Sequence, residues 1–368
     1  MGLYNLSMNY SGSQHDLEPV GLRWSLRLIY IAVFFIGIVG NLVVGIAIIL
    51  RKRLRTSNNI FTLNLCIADL IVIVIYVPTQ MAAFENDHNW PFGNFMCQVA
   101  YIIIPLCLSA SIGILLAIST DRYRAIAHPL RPRLTLMNVK IIIAIIWFLS
   151  FITSIPLLFV AGTDRPDPSG KLYCSELWPR GTRYEEMYWI AIFVVQYVIP
   201  LAVIAALSRV TAMKIRQNSF FSSARKRSQI VTTAVRQRLK QSTKIAKMLI
   251  GLVLLYSICM LPQHVIYFWL KYGNLNVLSY KMYVFRLANV FPMANCALNP
   301  ILYGTLNKEF AQVFKSFFAI FGCGKIKTGD EKNMESEGTL SPEKRSIRWI
   351  RSASQTKRPE SAMEEALL

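Results

Sequence analysis

Charge is what this 368-residue chain has least of: 16% of its residues are Asp, Glu, Lys or Arg, against 54% hydrophobic. A water-soluble domain usually carries about 25% charge. With a mean hydropathy of +0.40, the chain is too apolar for water and reads as a membrane protein of one main domain. Acids are the scarcer sign, 20 against 40 Lys and Arg. That basic excess does not point to nucleic acid, because the basic residues cluster between apolar runs rather than across one soluble face. Seven cysteines are too few for a disulfide-dense scaffold. No internal repeat is evident, which disfavours transporters built from duplicated halves. No basic segment leads into a short apolar run near the start, so no cleavable signal peptide is expected. Within the apolar runs only Asp69 is ionisable at mid-depth, whereas a pump needs a relay of such groups. Nor do those runs hold a nucleophile–base pair or a metal-ligand set, so an enzyme is not expected.

What is present is a series of seven stretches long enough to cross about 30 Å of hydrocarbon. They lie near 25–50, 59–84, 97–124, 138–161, 187–212, 243–270 and 282–305. A spanning segment must satisfy its own backbone, so each is a helix and the fold class is an all-α seven-helix membrane bundle. Pro78, Pro105, Pro156, Pro200, Pro262 and Pro300 interrupt these runs; inside a bundle, neighbouring helices take up the carbonyls that proline frees. Arg51-Lys52-Arg53-Leu54-Arg55 follows the first run, Arg124, Arg131 and Arg133 follow the third, and ten basic residues from Lys214 to Lys247 follow the fifth. The alternate loops carry Glu85, Asp87, Asp164, Asp167, Glu176, Glu185 and Glu186. The excess of Lys and Arg puts the N-terminus outside and the C-terminus in the cytosol.

The chain then divides into an outer tail 1–24, a bundle 25–305, a short helix 306–321 and a cytoplasmic tail 322–368. The outer tail holds two glycosylation sequons, at Asn5 and Asn9. In 307–321, Phe310, Val313, Phe314, Phe317 and Phe318 recur at helical spacing, the pattern of an amphipathic helix lying on lipid. Cys323 beyond it is a palmitoylation candidate or a plain surface thiol. The remainder has the composition of a disordered segment, with eight hydroxyl residues between Ser336 and Ser361.

Three polar constellations stand against this apolar background. Asp121-Arg122-Tyr123 places two opposite charges where the third run meets the cytosol, and charge there reads as functional. An unpaired Asp69 costs at least about 2.5 kcal/mol on insertion. Ser111, Asn295 and Asn299 lie at similar depth and offer oxygens, so the group holds either a small hard cation such as sodium or a protonated Asp69 in a neutral network. Asn299-Pro300-Ile301-Leu302-Tyr303 closes the seventh run, with Asn299 placed to bridge to Asp69. Cys97 and Cys174 both fall on the outer side and are expected to form a disulfide.

Gly40-Asn41, Asn64-Leu65-Cys66-Ile67-Ala68-Asp69, Trp90-Pro91-Phe92-Gly93, Asp121-Arg122-Tyr123, Trp147, Pro200, Pro262 and Asn299-Pro300-Ile301-Leu302-Tyr303 occur in this order. Together they resemble the rhodopsin-like (class A) G-protein-coupled receptor family over nearly the whole chain. The resemblance implies a multi-pass receptor of the plasma membrane, with a heterotrimeric G protein as partner and arrestin binding after tail phosphorylation. It implies a sodium pocket of Asp69, Ser111, Asn295 and Asn299, and an activation connector of Ile112, Pro200 and Tyr256, continued by Met260 and Pro262. Arg122 with its neighbours, Pro129, Leu130, Asn299, Pro300 and Tyr303 would serve G-protein coupling. Three departures stand out. Met260 replaces the usual tryptophan, Ser208 a common tyrosine, and 239–247 has no acid to face Arg122.

The ligand is bounded by further absences. The outer part of the third run, Val99 to Pro105, carries no charge, which disfavours a monoamine because its ammonium would be buried unpaired. No lysine lies between Lys281 and Lys308, so a retinal Schiff base has no amine there. A peptide is the expected ligand, with a lipid or another small non-amine molecule as the alternative. Pocket candidates are Gln80, Trp90, Ile104, Tyr267, Lys271, Phe285, Arg286 and Asn289, with Trp178 and Trp269 as further aromatic walls. The loop around Trp90 and the segment from His128 to Thr135 resemble the neuropeptide FF, neuropeptide Y, galanin and allatostatin receptor group.

Overall fold

The computed structural model describes residues 20–86, 89–128, 132, 134–165, 170–224, 229–272 and 281–320. Asn5, Asn9, Pro129, Leu130, Cys323 and the tail lie outside the described residues, as does the side chain of Phe285.

Helix α1 spans Val20–Leu50 and stops at the Arg51-Lys52-Arg53 cluster, where a 3-10 turn forms at Lys52–Leu54. Thr56 then caps α2, its hydroxyl accepting the Asn59 N–H at 3.3 Å and satisfying one of the donors that a helix start leaves open. α2 runs through Ser57–Ile71, a π-helical turn at Val72–Tyr76, and Val77–Glu85. The wide turn directly precedes Pro78, whose ring cannot donate an N–H to the preceding turn. α3 is Gly93–Ala127, and α4 is Leu136–Val160, capped by Thr135 in the same manner as α2. α5 consists of Tyr184–Phe193, a π turn at Val194–Val198 just before Pro200, and Ile199–Ala224. α6 is Gln229–Tyr272 and α7 is Lys281–Leu306. α8, Lys308–Ile320, turns Phe310 and Val313 inward, with Phe310 against the ring of Tyr303 at 5.9 Å.

α3 is the central helix, in contact with α2, α4, α5 and α6. α1 lies against α2 and α7. Gly40 permits the latter approach, since a Cβ there would stand 2.8 Å from Pro300 Cβ. Outward positions remain large and apolar, with Phe35 61%, Phe148 65% and Phe159 83% exposed. Such surface suits hydrocarbon and would be a liability in water.

Among the described residues, six helices are long and apolar enough to cross a membrane. α7 falls short on composition because it carries Asn289, Asn295 and Asn299, all buried inside the bundle. Two features go beyond the expected all-helical plan. The segment between α4 and α5 carries an antiparallel strand pair, β1 (Ala161–Asp164) with β2 (Tyr173–Glu176), in which Thr163 stands opposite Cys174. Helices α5 and α6 also extend past the apolar runs into the basic segment, where Lys, Arg, Gln and Ala are strong helix formers.

Candidate functional site

At the end of the bundle where α3 begins, the Cys97–Cys174 disulfide forms with Cα atoms 5.5 Å apart. It ties β2 to the start of α3, and Tyr101 OH adds a bond to the Cys174 carbonyl at 3.4 Å. Beneath lies a cavity of about 40 Å³ whose walls include Ile104 of α3, Trp189 and Gln196 of α5, Met260 and Tyr267 of α6, and Ala288 of α7. A water needs about 10–15 Å³ on this measure. The space therefore takes a few waters or one short side chain.

Several expected pocket residues are used elsewhere. Trp90 is 3% exposed and is not among the walls of this cavity. Its indole donates to the Gly93 carbonyl at 2.8 Å, and its backbone N–H donates to Leu172 at 2.6 Å. It anchors one outer loop to the next. Trp178 donates to the Glu176 carboxylate at 2.6 Å, and Trp269 is 46% exposed; neither is a cavity wall. Lys271 pairs with Glu185 at 2.8 Å, so its charge is already matched. The Arg286 guanidinium lies 4.4 Å from the centre of the Phe84 ring. Gln80, half-buried, and Asn289, buried, lie apart from the cavity walls. Ile104 and Tyr267 are the expected pocket residues that do line it.

Below the cavity, prolines and polar side chains work in pairs. Pro200 lacks the N–H that would bond the carbonyl of Gln196, and that carbonyl accepts the Tyr256 hydroxyl at 3.1 Å. The same Gln196 donates through its side chain to the Pro105 carbonyl at 3.3 Å. Three helices are thus joined at one level, directly under Met260, with buried Ile112 further along α3. On the other side, Pro300 frees the Cys296 carbonyl, and Asn41 donates to it at 3.0 Å. A sequence reading that pairs each helical proline with polar side chains on facing helices could have found both contacts.

At mid-depth Asn299 donates to Asp69 at 2.9 Å, the bridge expected from sequence. Ser111 and Asn295 are buried as well. Asp69 Oδ1 and Asn295 Oδ1 have no hydrogen-bond partner, so each is an open acceptor in a region where open acceptors are costly. Beside this pair the Cys296 thiol donates to the Pro292 carbonyl at 3.5 Å. Towards the inner end, Asp121 and Arg122 form an ion pair with both side chains mostly buried. The Arg122 Nε has no hydrogen-bond partner. Tyr303 is fully buried, and its hydroxyl also lacks a partner.

Comparison with known proteins places this architecture. Residues 40–303 match the family model described as 7 transmembrane receptor (rhodopsin family). That match begins at the glycine packed on Pro300 and ends at Tyr303. The chain is 32% identical to galanin receptor 2a of Danio rerio over 306 residues, 81% of this chain and 78% of that receptor. It is 30% identical to neuropeptide FF receptor 1 of Rattus norvegicus over 332 residues, 86% of this chain and 75% of that one. It is 31% identical to the substance-P receptor of Homo sapiens over 350 residues, 91% of this chain and 80% of that one.

Proposed function

This chain belongs to the rhodopsin family of seven-transmembrane receptors, and we propose from that premise that it is activated by an extracellular peptide and signals through a heterotrimeric G protein. It is a multi-pass membrane protein and not an enzyme. The observation that carries the reading is the outer cavity, whose floor residues Tyr256 and Met260 belong to the same α6 that Gln196 ties to α3 and α5. The likeness to galanin, neuropeptide FF and substance-P receptors supports a peptide over a lipid or small molecule. A cavity of about 40 Å³ suits a peptide end or side chain, the rest of the peptide lying against the strand pair and outer loops.

In this reading the N-terminus is extracellular and the C-terminus cytoplasmic. A ligand acts by preferring one arrangement of α6 over the other, and its differential affinity sets the shift. Inward, Arg122 leaves Asp121 to meet the G protein, aided by the inner loop at Pro129 and Leu130 and by Tyr303. The phosphorylated tail recruits arrestin, and α8 rests on membrane lipid through its phenylalanines, with Cys323 as an acylation site. Asp69, Ser111, Asn295 and Asn299 fit a sodium ion, because the orphaned Oδ1 atoms of Asp69 and Asn295 are the hard oxygen donors such a cation takes. Its charge would stabilise the arrangement in which these residues converge.

The test is a screen of amidated neuropeptides on cells expressing the receptor, with several G-protein classes read in parallel. A saturable response above that of empty cells supports the reading. A response to lipids or small molecules alone, with the receptor at the surface, refutes the peptide assignment.

A further inference from the structure

The tail carries a pattern that none of the roles above uses. From Lys344 to Arg358 the basic residues are Lys344, Arg345, Arg348, Arg351, Lys357 and Arg358, with no acid among them. The flanks are acidic, with Glu335, Glu337 and Glu343 before and Glu360, Glu364 and Glu365 after. Within the basic stretch lie Ile347, Trp349 and Ile350, and no other tryptophan occurs in 322–368. Positions 344–358 lie outside the described residues and are read from their sequence alone.

The order of these residues is not that of a solvated charge run. At about 3.6 residues per turn, Lys344, Arg345, Arg348, Arg351 and Arg358 share one half of a helix. Ser346, Ile347, Trp349, Ile350 and Ala353 share the other, and among the basic residues only Lys357 breaks the division. A basic half beside an apolar half is the pattern of a helix lying in a membrane interface or entering a protein groove. Three observations favour the interface. A groove-bound helix presents large anchors at i, i+3, i+4 and i+7, but here the large residues end at Ile350, and positions 353 and 354 are Ala and Ser. Indole rings prefer the headgroup level of a bilayer. The chain also starts from the right place: α8 follows directly on the last helix of the bundle and leaves Phe318 half exposed. About two dozen residues separate Ile320 from Lys344, enough to return to the same surface.

We propose that residues 344–358 are a reversible anchor on the anionic inner leaflet, with the Lys and Arg side chains among lipid headgroups and Ile347, Trp349 and Ile350 in the interface. This rests on the reading that the C-terminus is cytoplasmic, where the leaflet carries a negative surface potential. Each basic residue near such a surface strengthens binding about fivefold, and salt screens the attraction. Ser346, Ser352, Ser354 and Thr356 fall inside the segment. On lipid these hydroxyls are held at the headgroups, away from cytosolic partners; off lipid they are presented to them. The tail is then attached to the membrane twice, at α8 and again at 344–358.

Two measurements on the full chain test this. Purified receptor is placed in nanodiscs of brominated phosphatidylcholine, with or without phosphatidylserine, and Trp349 emission is taken as the difference between each chain and its W349F twin. Quenching by the brominated acyl chains is expected with phosphatidylserine and not without it, and high salt should reverse it. At the phosphatidylserine fraction that half-quenches the unaltered chain, R348Q/R351Q should lower the ratio of bound to free segment at least about tenfold. Both positions lie beyond residues 40–303, the part that matches the receptor family, so the variant leaves the bundle as it is. Equal quenching in neutral and anionic discs, no quenching in either, or a ratio unchanged by R348Q/R351Q overturns the anchor. Calcium-loaded calmodulin that shifts Trp349 emission where anionic lipid does not also overturns it, and assigns the segment to a protein groove instead. Orientation is read separately, from antibody staining of an epitope added after Leu368. Staining of intact cells would fault the cytoplasmic reading; nanodiscs expose both faces, so the lipid result stands apart from it.

Discussion

Tyr256→Phe deletes one oxygen, and the structure says what that oxygen does. It donates to the Gln196 carbonyl at 3.1 Å, which is open because Pro200 has no N–H to offer it. Removing the hydroxyl leaves a buried acceptor unsatisfied. Single hydrogen bonds between membrane helices are worth about 0.6 kcal/mol on average and up to about 1.7; the orphaned carbonyl puts this one at the upper end, near 1.5 kcal/mol. Pro200→Ala reverses the logic, since an alanine N–H can close the helical bond to Gln196 and make the tyrosine redundant. The two substitutions should therefore be non-additive: Tyr256→Phe costs about 1.5 kcal/mol alone and close to nothing beside Pro200→Ala. A thiol-reactive fluorogenic dye reads unfolding directly, because Cys66, Cys107, Cys259 and Cys296 are free and buried. For a bundle of this size the coupling corresponds to about 3 °C in the melting midpoint. Equal losses from Tyr256→Phe in both backgrounds would refute the claim that proline made the acceptor and tyrosine fills it.

Asp69→Ala should blunt agonist signalling and abolish any effect of sodium on agonist affinity; a sodium effect that persists in the variant rules out the pocket. Cys174→Ser releases β2 from α3 and should eliminate ligand binding at the surface, checked by binding to intact cells with display measured separately. Arg122 pairs with its neighbour Asp121, and the sequence from 239 to 247 offers it no acid, so ligand-free signalling should exceed that of empty cells at matched expression. Gly40→Val drives side-chain atoms into Pro300, already 2.8 Å from a Cβ at that position; overpacking of this kind costs about 1–3 kcal/mol, seen as a lower melting midpoint with the α1–α7 contact loosened.

The helical frame was legible because lipid demands it. A run of spanning length has no alternative to a helix, and the seven expected stretches coincide with α1 to α7. Asp69 with Asn299 was legible for a related reason, as a buried carboxylate must find a partner. The outer end was harder. Aromatic type alone does not distinguish a cavity wall from a loop anchor, and Trp90 and Trp178 both spend their indole N–H on loop groups. The pairing of Lys271 was not legible because Glu185, its partner, is 86 positions away in sequence, and no local pattern joins the start of α5 to the end of α6. The strand pair was missed because a four-residue strand in a polar loop has too little periodicity to register.

Tyr256 and Met260 make better sense together than apart. A flexible thioether at Met260 gives the cavity floor no rigid plane for a ligand to lever. The residue one turn below it on α6 is instead bonded to α5, and that bond ends on a carbonyl whose helix is already distorted by the π turn at Val194–Val198. Movement of α6 must therefore either break the bond to Gln196 or carry α5 with it, and through the Gln196 side chain it also pulls on Pro105 of α3. α3 is the helix that ends in Asp121 and Arg122. A polar link across three helices, anchored where prolines have left carbonyls open, can pass an outer displacement to the inner charge pair without a tryptophan. Its strength is that of one or two hydrogen bonds, about 1–3 kcal/mol in total, which is the range a ligand's differential affinity readily supplies.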